Sequence, residues 1–279
     1  MRKKIAPSRV IIFIILLLLA LIFIIPFTWT LITSLKTDEE IYTAALTVLP
    51  KRVTFEHYVH VFQQMDNFFK YFKNSVISSF WTILLVTLFS ATMGYSFAKC
   101  SYRFKNFYLG FVLFVLTLPY IIYLIPIYIM NSRLKLINTL TGLILPYIAT
   151  NLPMAVFIMQ GQYTNVPDTL SEAARLDGCS SWQVFWNIVL PCVKPGLATV
   201  IIYTFINVWG EFTYAKTLTS SAVSQTLPVG IVFLQDEAGS WAYGTLTSVI
   251  IMSLIPVLII FLTMQKYFVR GIMEGALKG

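Results

Sequence analysis

Residues 165–195 decide the fold of this chain, and they read N-V-P-D-T-L-S-E-A-A-R-L-D-G-C-S-S-W-Q-V-F-W-N-I-V-L-P-C-V-K-P. They form the longest polar segment in the second half of a chain that is 57% hydrophobic and only 11% charged. Their pattern predicts two short helices that are joined at a glycine and lie between longer apolar segments.

Helix caps support this interpretation of the segment. Thr169 with Glu172, and Ser180 with Gln183, each match a capping box, in which the two side chains satisfy free backbone N–H groups at a helix start. Gly178 is predicted to end the first helix, because glycine adopts the left-handed conformation without steric penalty. Such caps also occur in ordinary surface helix pairs, so the caps alone leave that alternative open.

Six uncharged apolar segments predict six transmembrane helices, since a bilayer requires about 20 apolar residues per helix. The segments are residues 10–35, 74–98, 106–132, 136–166, 196–210 and 242–265, and the fifth is expected to extend back through Cys192 and Val193. The first is too long for a signal peptide and has no small-residue cleavage site. In the second, the spacing of Ser90, Gly94 and Ala98 predicts close approach of another helix. Pro119 and Pro126 are expected to bend the third.

The charges predict how these segments are oriented. Twelve of the 20 Lys and Arg residues, but only four of the 12 Asp and Glu residues, lie on the same side as the N-terminus. Because Lys and Arg favour the cytoplasmic side, both termini and segment 165–195 are predicted to be cytoplasmic. The net charge of +8 is then a topology signal, and no nucleic-acid partner is expected.

Motifs for catalysis are missing from the sequence. It contains no G-x-x-x-x-G-K-[ST], H-E-x-x-H or C-x-x-C pattern, so we expect no enzyme activity. His57 and His60 lie three residues apart without further ligands nearby, so no metal site is expected. An ion-coupled secondary transporter, which needs acidic residues inside the spans or an inverted repeat, is the less favoured alternative.

The spacing of Glu172-Ala173-Ala174, Gly178, Ile188 and Leu190-Pro191 resembles the E-A-A-x3-G-x9-I-x-L-P signature of ABC importer permeases at every specified position. The resemblance implies an all-α membrane protein of six helices with both termini inside and the type I ABC importer permease fold. It implies that the helix Thr169–Asp177 is a cytoplasmic coupling helix in a cleft of an ATPase subunit. The residues it assigns to ATPase coupling are Thr169, Glu172, Ala173, Ala174, Asp177, Gly178, Ile188, Leu190 and Pro191.

Three further stretches are similar to the carbohydrate-type permeases of the MalG/MsmG group. They are W-G-E-F (209–212), in which Gly210 replaces the usual Asn, S-Q-T-L-P-V-G (224–230), and the ending F-V-R-G-I-M-E-G-A-L-K-G (268–279). The resemblance implies that Thr226, Leu227, Pro228 and Gly230 contact a sugar-binding protein. It also implies that Gly275, Lys278 and Gly279 in the tail contact the ATPase.

The implied function is that of the permease subunit of an ATP-driven, binding-protein-dependent sugar importer in the plasma (inner) membrane of a prokaryote; a non-sugar cargo is the alternative. The implied partners are a second permease subunit, two ATPase subunits that carry ATP and Mg, a sugar-binding protein and the bilayer. No cofactor is expected on this chain. Tyr203, Asn207, Trp209 and Glu211 are a candidate substrate path, although aromatic residues at helical spacing more often serve packing. The expected domains are an N-terminal span with an outer loop (1–73), the ABC importer transmembrane domain (74–266) and a cytoplasmic tail (267–279).

Overall fold

Helices make up most of the computed structural model, which describes residues 7–43, 47–64, 67–234 and 242–276. Within those ranges no strand occurs, so the all-α prediction is confirmed. In chain order the α-helices are α1 (Pro7–Ser34), α2 (Asp38–Thr43), α3 (Glu56–Gln64), α4 (Phe68–Lys99), α5 (Lys105–Val115), α6 (Leu124–Arg133), α7 (Leu140–Thr164), α8 (Asp168–Leu176), α9 (Ser181–Gln183), α10 (Leu190–Cys192), α11 (Lys194–Trp209), α12 (Thr213–Leu218), α13 (Leu227–Ile231) and α14 (Tyr243–Ala276). Residues Tyr120–Tyr123 and Val232–Leu234 form 3₁₀ turns, and Val184–Val189 form a π-helix.

Four helices are long and apolar enough to cross a membrane unaided. They cover Arg9–Ser34, Phe68–Lys99, Leu140–Thr164 and Tyr243–Tyr267. The first has a mean hydropathy of 3.5, and no residue in its most apolar stretch is buried by the rest of the chain. A helix that is apolar on all sides needs lipid or another protein around it.

Two further candidates are bent helix pairs. Lys105–Val115 and Tyr120–Arg133 meet at 93°, and Ser181–Cys192 and Lys194–Trp209 meet at 75°. If each pair is one span, the described part of the chain has six by length and composition. The bend predicted at Pro119 is found. The predicted extension of the fifth span through Cys192 and Val193 is present only as a bent pair, because α10 ends at Cys192 and α11 begins at Lys194. Pro195 has no N–H to donate in the first turn of α11, which favours a break there.

The first of two compact units comprises residues 1–68 and 231–255. Its α3 was predicted from the apolar spacing of residues 55–62. Val59 and Phe62 on this helix, and Phe55 just before it, are exposed. His57 is buried with Nε2 2.8 Å from the Lys36 carbonyl oxygen. Gly244 allows the backbone of α14 to contact the imidazole ring closely.

The second unit comprises residues 69–230 and 256–279, and α7 supplies much of its core. A Cβ atom added at Gly94 of α4 would lie 2.6 Å from Cβ of Met159 on α7, so the predicted close approach at Gly94 is confirmed. Gly196 of α11 lies equally close to Gln162. The predicted divisions at residues 73 and 266 stay a prediction beside this two-unit arrangement.

Candidate functional site

Helix α8 is the first helix of segment 165–195, which contains the E-A-A motif. It begins at Asp168 after Pro167, and no side chain caps its first turn. The predicted capping box of Thr169 and Glu172 is therefore wrong. The helix starts one residue earlier than expected, because Pro167 has the extended backbone (φ −60°, ψ 135°) that precedes a helix and places Thr169 inside the first turn.

Lys99, the last residue of α4, supports this helix start from another part of the chain. Its Nζ donates to the Val166 carbonyl oxygen and, at 2.6 Å, to Oδ1 of Asp168. The Lys99 side chain is 10% exposed and that of Asp168 73%. The carboxylate also lies at the positive end of the α8 dipole, which favours a negative charge. Lys99 was not predicted as part of the site, and its place at the end of a span is the one sequence signal for it.

Gly178 forms the predicted turn after α8. Its φ is 87°, in the left-handed region, and the N–H groups of Gly178 and Cys179 donate to the carbonyl oxygens of Arg175 and Ala174, each at 3.0 Å. These bonds close the C-terminus of the helix as glycine-ended helices commonly do. The glycine stop is confirmed.

The second predicted capping box is confirmed at Ser180. The Gln183 N–H donates to the Ser180 hydroxyl at 3.3 Å, and the Ser180 N–H donates to the Gln183 side-chain oxygen at 2.8 Å. The helix that follows changes after one turn into the π-helix Val184–Val189. This π-helix was not predicted from the sequence; such elements are rare and often found at functional positions.

The inner side of the segment packs on the long helices. Ala174, Val184, Phe185 and Val189 are buried in one cluster that includes residues of α4, α7 and α11. Ile188 and Leu190 of the motif pack on its edge. Ala174, which the motif assigns to ATPase coupling, faces this core, and its small size allows α8 to pack closely there.

An aromatic cluster ties the same segment to α4 and α7. The Tyr95 ring of α4 lies 4.9 Å from the Phe185 ring and 5.6 Å from the Tyr163 ring, measured between centroids. Such aromatic pairs stabilise contacts beyond the area that they bury. Together with Lys99, they connect both halves of the segment to the long helices.

The outer side of α8 remains uncovered. Glu172, Ala173 and Asp177 are exposed, and Leu176 is 89% exposed. Thr169 and Pro191 are exposed as well. An exposed leucine next to exposed polar residues on a firmly held helix is what a protein docking surface provides.

A polar cavity of about 530 Å³ lies elsewhere in the second unit, next to α7, α11 and α12. Its walls include Tyr120, Tyr147, Asn151, Tyr203, Asn207 and Glu211. The volume is typical of small-molecule sites. Tyr203, Asn207 and Glu211 of the candidate path therefore share one cavity. Asn151 was missed, although an amide inside an uncharged span is a signal for a substrate path.

The Glu211 carboxylate organises this cavity. Its Oε1 accepts from the Tyr214 N–H at 2.8 Å, and its Oε2 accepts from the Ala215 N–H at 3.0 Å and from the Tyr147 hydroxyl at 2.8 Å. Burial and the nearby Glu211 charge raise the pKa of Tyr214 to about 12. The Tyr214 phenol stays protonated at neutral pH and donates to the Tyr120 carbonyl oxygen at 2.8 Å, which links α12 to the 3₁₀ turn.

Trp209 lies outside the cavity, unlike its three companions in the candidate path. It is 9% exposed, and its ring stacks on Phe205 at 5.5 Å and meets Phe72 edge-on at 5.8 Å. The packing alternative is therefore correct for Trp209. The two-residue step from Asn207 to Trp209 corresponds to about 200° of rotation round the helix, which turns Trp209 away from the cavity and into the core.

The stretch predicted to contact a sugar-binding protein is largely covered by its own chain. Thr226, Leu227 and Gly230 are buried and Pro228 is half-buried, whereas the nearby Val223 is 75% exposed. The Asn74 side-chain amide holds this loop by donating to the carbonyl oxygens of residues 222, 223 and 225. Contact with a binding protein stays a prediction. In the predicted tail site, Gly275 lies in α14, and Lys278 and Gly279 fall outside the described residues.

Comparison with known proteins assigns the family. Residues 90–274 match the family described as binding-protein-dependent transport system inner membrane component. A putative ABC transporter permease, ORF2 of Caldicellulosiruptor sp. (strain Rt8B.4), is 35% identical over 267 residues that cover 96% of each chain. The arabinooligosaccharides transport system permease protein AraQ of Bacillus subtilis (strain 168) is 32% identical over 94% of this chain and 93% of its own.

A solved structure supports the fold. A chain of a bacterial ABC transporter involved in the import of the acidic polysaccharide alginate superimposes with a TM-score of 0.81 at 20% identity, over 95% of this chain and 99% of that one. The six candidate spans, the E-A-A segment and these matches agree: the chain belongs to the binding-protein-dependent transport system inner membrane components, the membrane-spanning permease subunits of ABC importers.

Proposed function

We propose that this permease moves oligosaccharides across the plasma membrane of a prokaryote and that separate ATPase subunits drive it through α8. The observation that carries the proposal is the two-sided geometry of α8. Its inner side packs into the core through Ala174, and its outer side presents Glu172, Ala173 and Leu176 to solvent. A helix so placed transmits a push from a bound partner to the long helices.

The coupling step follows from these attachments. ATP binding would close two partner ATPase subunits, and α8, seated in one of them, would move as a rigid body. Lys99 ties its start to α4, and Phe185 carries the motion to Tyr95 and Tyr163 on α4 and α7. The long helices then reorient so that the cavity opens to the other side, and ATP hydrolysis resets them. ATP and Mg would bind the partners, with no cofactor on this chain.

An oligosaccharide cargo is supported by the names of relatives. AraQ, a transport system permease for arabinooligosaccharides, is similar over nearly the whole chain. The polar cavity offers the amides of Asn151 and Asn207 and the phenols of Tyr147 and Tyr203, which are donors and acceptors that suit sugar hydroxyls. In this proposal a second permease subunit completes the pathway and an external binding protein delivers the sugar.

The test is ATPase stimulation in the complete complex, reconstituted with its second permease, ATPase subunits and binding protein. We expect arabino-oligosaccharide with binding protein to stimulate ATP hydrolysis several-fold. Leu176→Asp on the outer side of α8 should remove at least about nine-tenths of this stimulation, because it places a charge where an apolar contact is expected.

The matched control is Leu49→Asp, which makes the same change at a leucine that is 71% exposed outside α8. This variant should keep its stimulation. Absence of any co-purifying ATPase, or a Leu176→Asp complex that is stimulated as strongly as the wild type, would overturn the proposal.

A further inference from the structure

We propose that the cavity beside α11 and α12 binds neutral saccharides and that the Glu211 carboxylate disfavours saccharides carrying an anionic group. The inference rests on the proposed function, and it adds a substrate class and a residue that determines it. It starts from the charge of the cavity wall. Among the described residues that line it, Glu211 is the one charged side chain.

The remaining wall matches the chemistry of a sugar ring. The Asn207 side chain donates to the Tyr203 carbonyl oxygen at 3.0 Å and keeps a further donor and an acceptor for a ligand. Sugar hydroxyls both donate and accept, so they pair with an amide in either direction. The tyrosine rings add apolar faces for the C–H groups of a sugar.

Glu211 is held firmly enough to act on a ligand through its charge. Three donors fix its carboxylate, namely the Tyr147 hydroxyl and two backbone N–H groups of α12. A carboxylate has roughly four acceptor positions, so one remains for a ligand hydroxyl. Charge-assisted hydrogen bonds of this kind are stronger than those between neutral groups.

A saccharide carboxylate reverses this interaction. It has no proton to donate to Glu211, and two negative charges within a few ångströms repel each other strongly away from bulk water. Moving the carboxylate aside would break the bonds that it accepts from the start of α12. The site therefore discriminates by repulsion as well as by attraction.

The experiment measures direct binding of two trisaccharides to the purified complex of permeases and ATPases in lipid nanodiscs, without binding protein, by titration calorimetry. The probes are α-1,4-galactotriose and α-1,4-trigalacturonate, which differ at C6 in a hydroxymethyl or a carboxylate group. We expect the wild-type complex to bind the neutral probe at least about tenfold more tightly. In Glu211→Gln this ratio should fall to about two, while the neutral affinity changes less than about threefold.

A second variant keeps the test decisive if Glu211→Gln fails to fold, since Glu211 also caps α12. Asn207→Asp adds a second carboxylate to the wall and should raise the ratio by about another tenfold. Glu39→Gln, which removes an exposed acid outside the cavity, should leave it unchanged. Saccharide binding with the same ratio in wild type and both cavity variants would overturn the inference alone. Failure to bind either probe, with no saccharide stimulating the ATPase, would overturn the proposed function as well.

Discussion

At Gly178 the backbone alone decides which residues are tolerated. An added Cβ atom would have no neighbour within 4 Å, so no packing opposes a larger side chain. The φ of 87° does oppose it, because a left-handed backbone costs most residues about 1–2 kcal/mol. Asn pays less of this cost than other residues, since its short polar side chain hydrogen-bonds locally.

We therefore expect Gly178→Val to impair coupling and Gly178→Asn to preserve most of it. Valine adopts the left-handed backbone only at a free-energy cost, so α8 and the helix from Ser181 should lose their mutual orientation. The measurement is binding-protein-stimulated ATP hydrolysis and sugar uptake in the reconstituted complex, with equal membrane insertion checked by immunoblot. We predict a drop of about tenfold for valine and less than threefold for asparagine. Equal activity of the two variants would contradict the argument.

Single residues were predictable from the sequence where only local chemistry mattered. Gly178 and the box of Ser180 and Gln183 depend on residues within one helical turn, and both were predicted correctly. The cap predicted at Thr169 is wrong, because Pro167 and Lys99 set the start of α8. Lys99 lies 69 residues from its partner Asp168. No pattern along the chain reveals a contact at that separation.

Among the elements, α8 depends on an anchor that it does not supply itself. A helix of nine residues is too short to be stable alone in water. Ala174 holds its inner side, and Lys99 holds its first turn at Val166 and Asp168. Removing the ammonium leaves a carbonyl oxygen without its donor and a carboxylate without its partner.

Lys99→Met should loosen α8, while Lys99→Arg should retain the ion pair. An exposed ion pair contributes about 0–1 kcal/mol, and the loss of the Val166 bond adds about 1 kcal/mol. Backbone amides of residues 169–176 should then exchange hydrogen about five- to thirtyfold faster in the methionine variant, as seen by exchange mass spectrometry. Exchange that matches the arginine variant would show that α8 is held by apolar packing alone.

Elements were predictable where they are long and uniform, and less so where they break. The spans at α1, α4, α7 and α14 follow from apolar length alone. The break at Pro119 had a residue-level cause and was predicted, whereas the π-helix Val184–Val189 was not. The π-helix uses residues that suit an α-helix equally well, and its position depends on packing against α8.

For the whole molecule, composition and charge predict more of the fold than of the candidate site. Six apolar segments and a basic excess on one side describe a multi-pass protein without any structure. The cavity was only half predicted, because its lining comes from four separate parts of the second unit, and sequence order does not place Tyr120 or Asn151 beside Glu211. The orientation in the membrane stays a prediction from charge.

That orientation is testable with the chain's own cysteines. Cys100 is exposed in the short basic loop after α4, which the charges place in the cytoplasm. Val223, 75% exposed, lies in a loop that the same argument places outside. A membrane-impermeant maleimide on intact cells should label Val223→Cys in a cysteine-free background and leave a chain with Cys100 alone unlabelled. Permeabilised cells, in which both label, provide the control. Labelling of Cys100 in intact cells would reverse the assigned orientation and place α8 on the side opposite to any cytoplasmic ATPase.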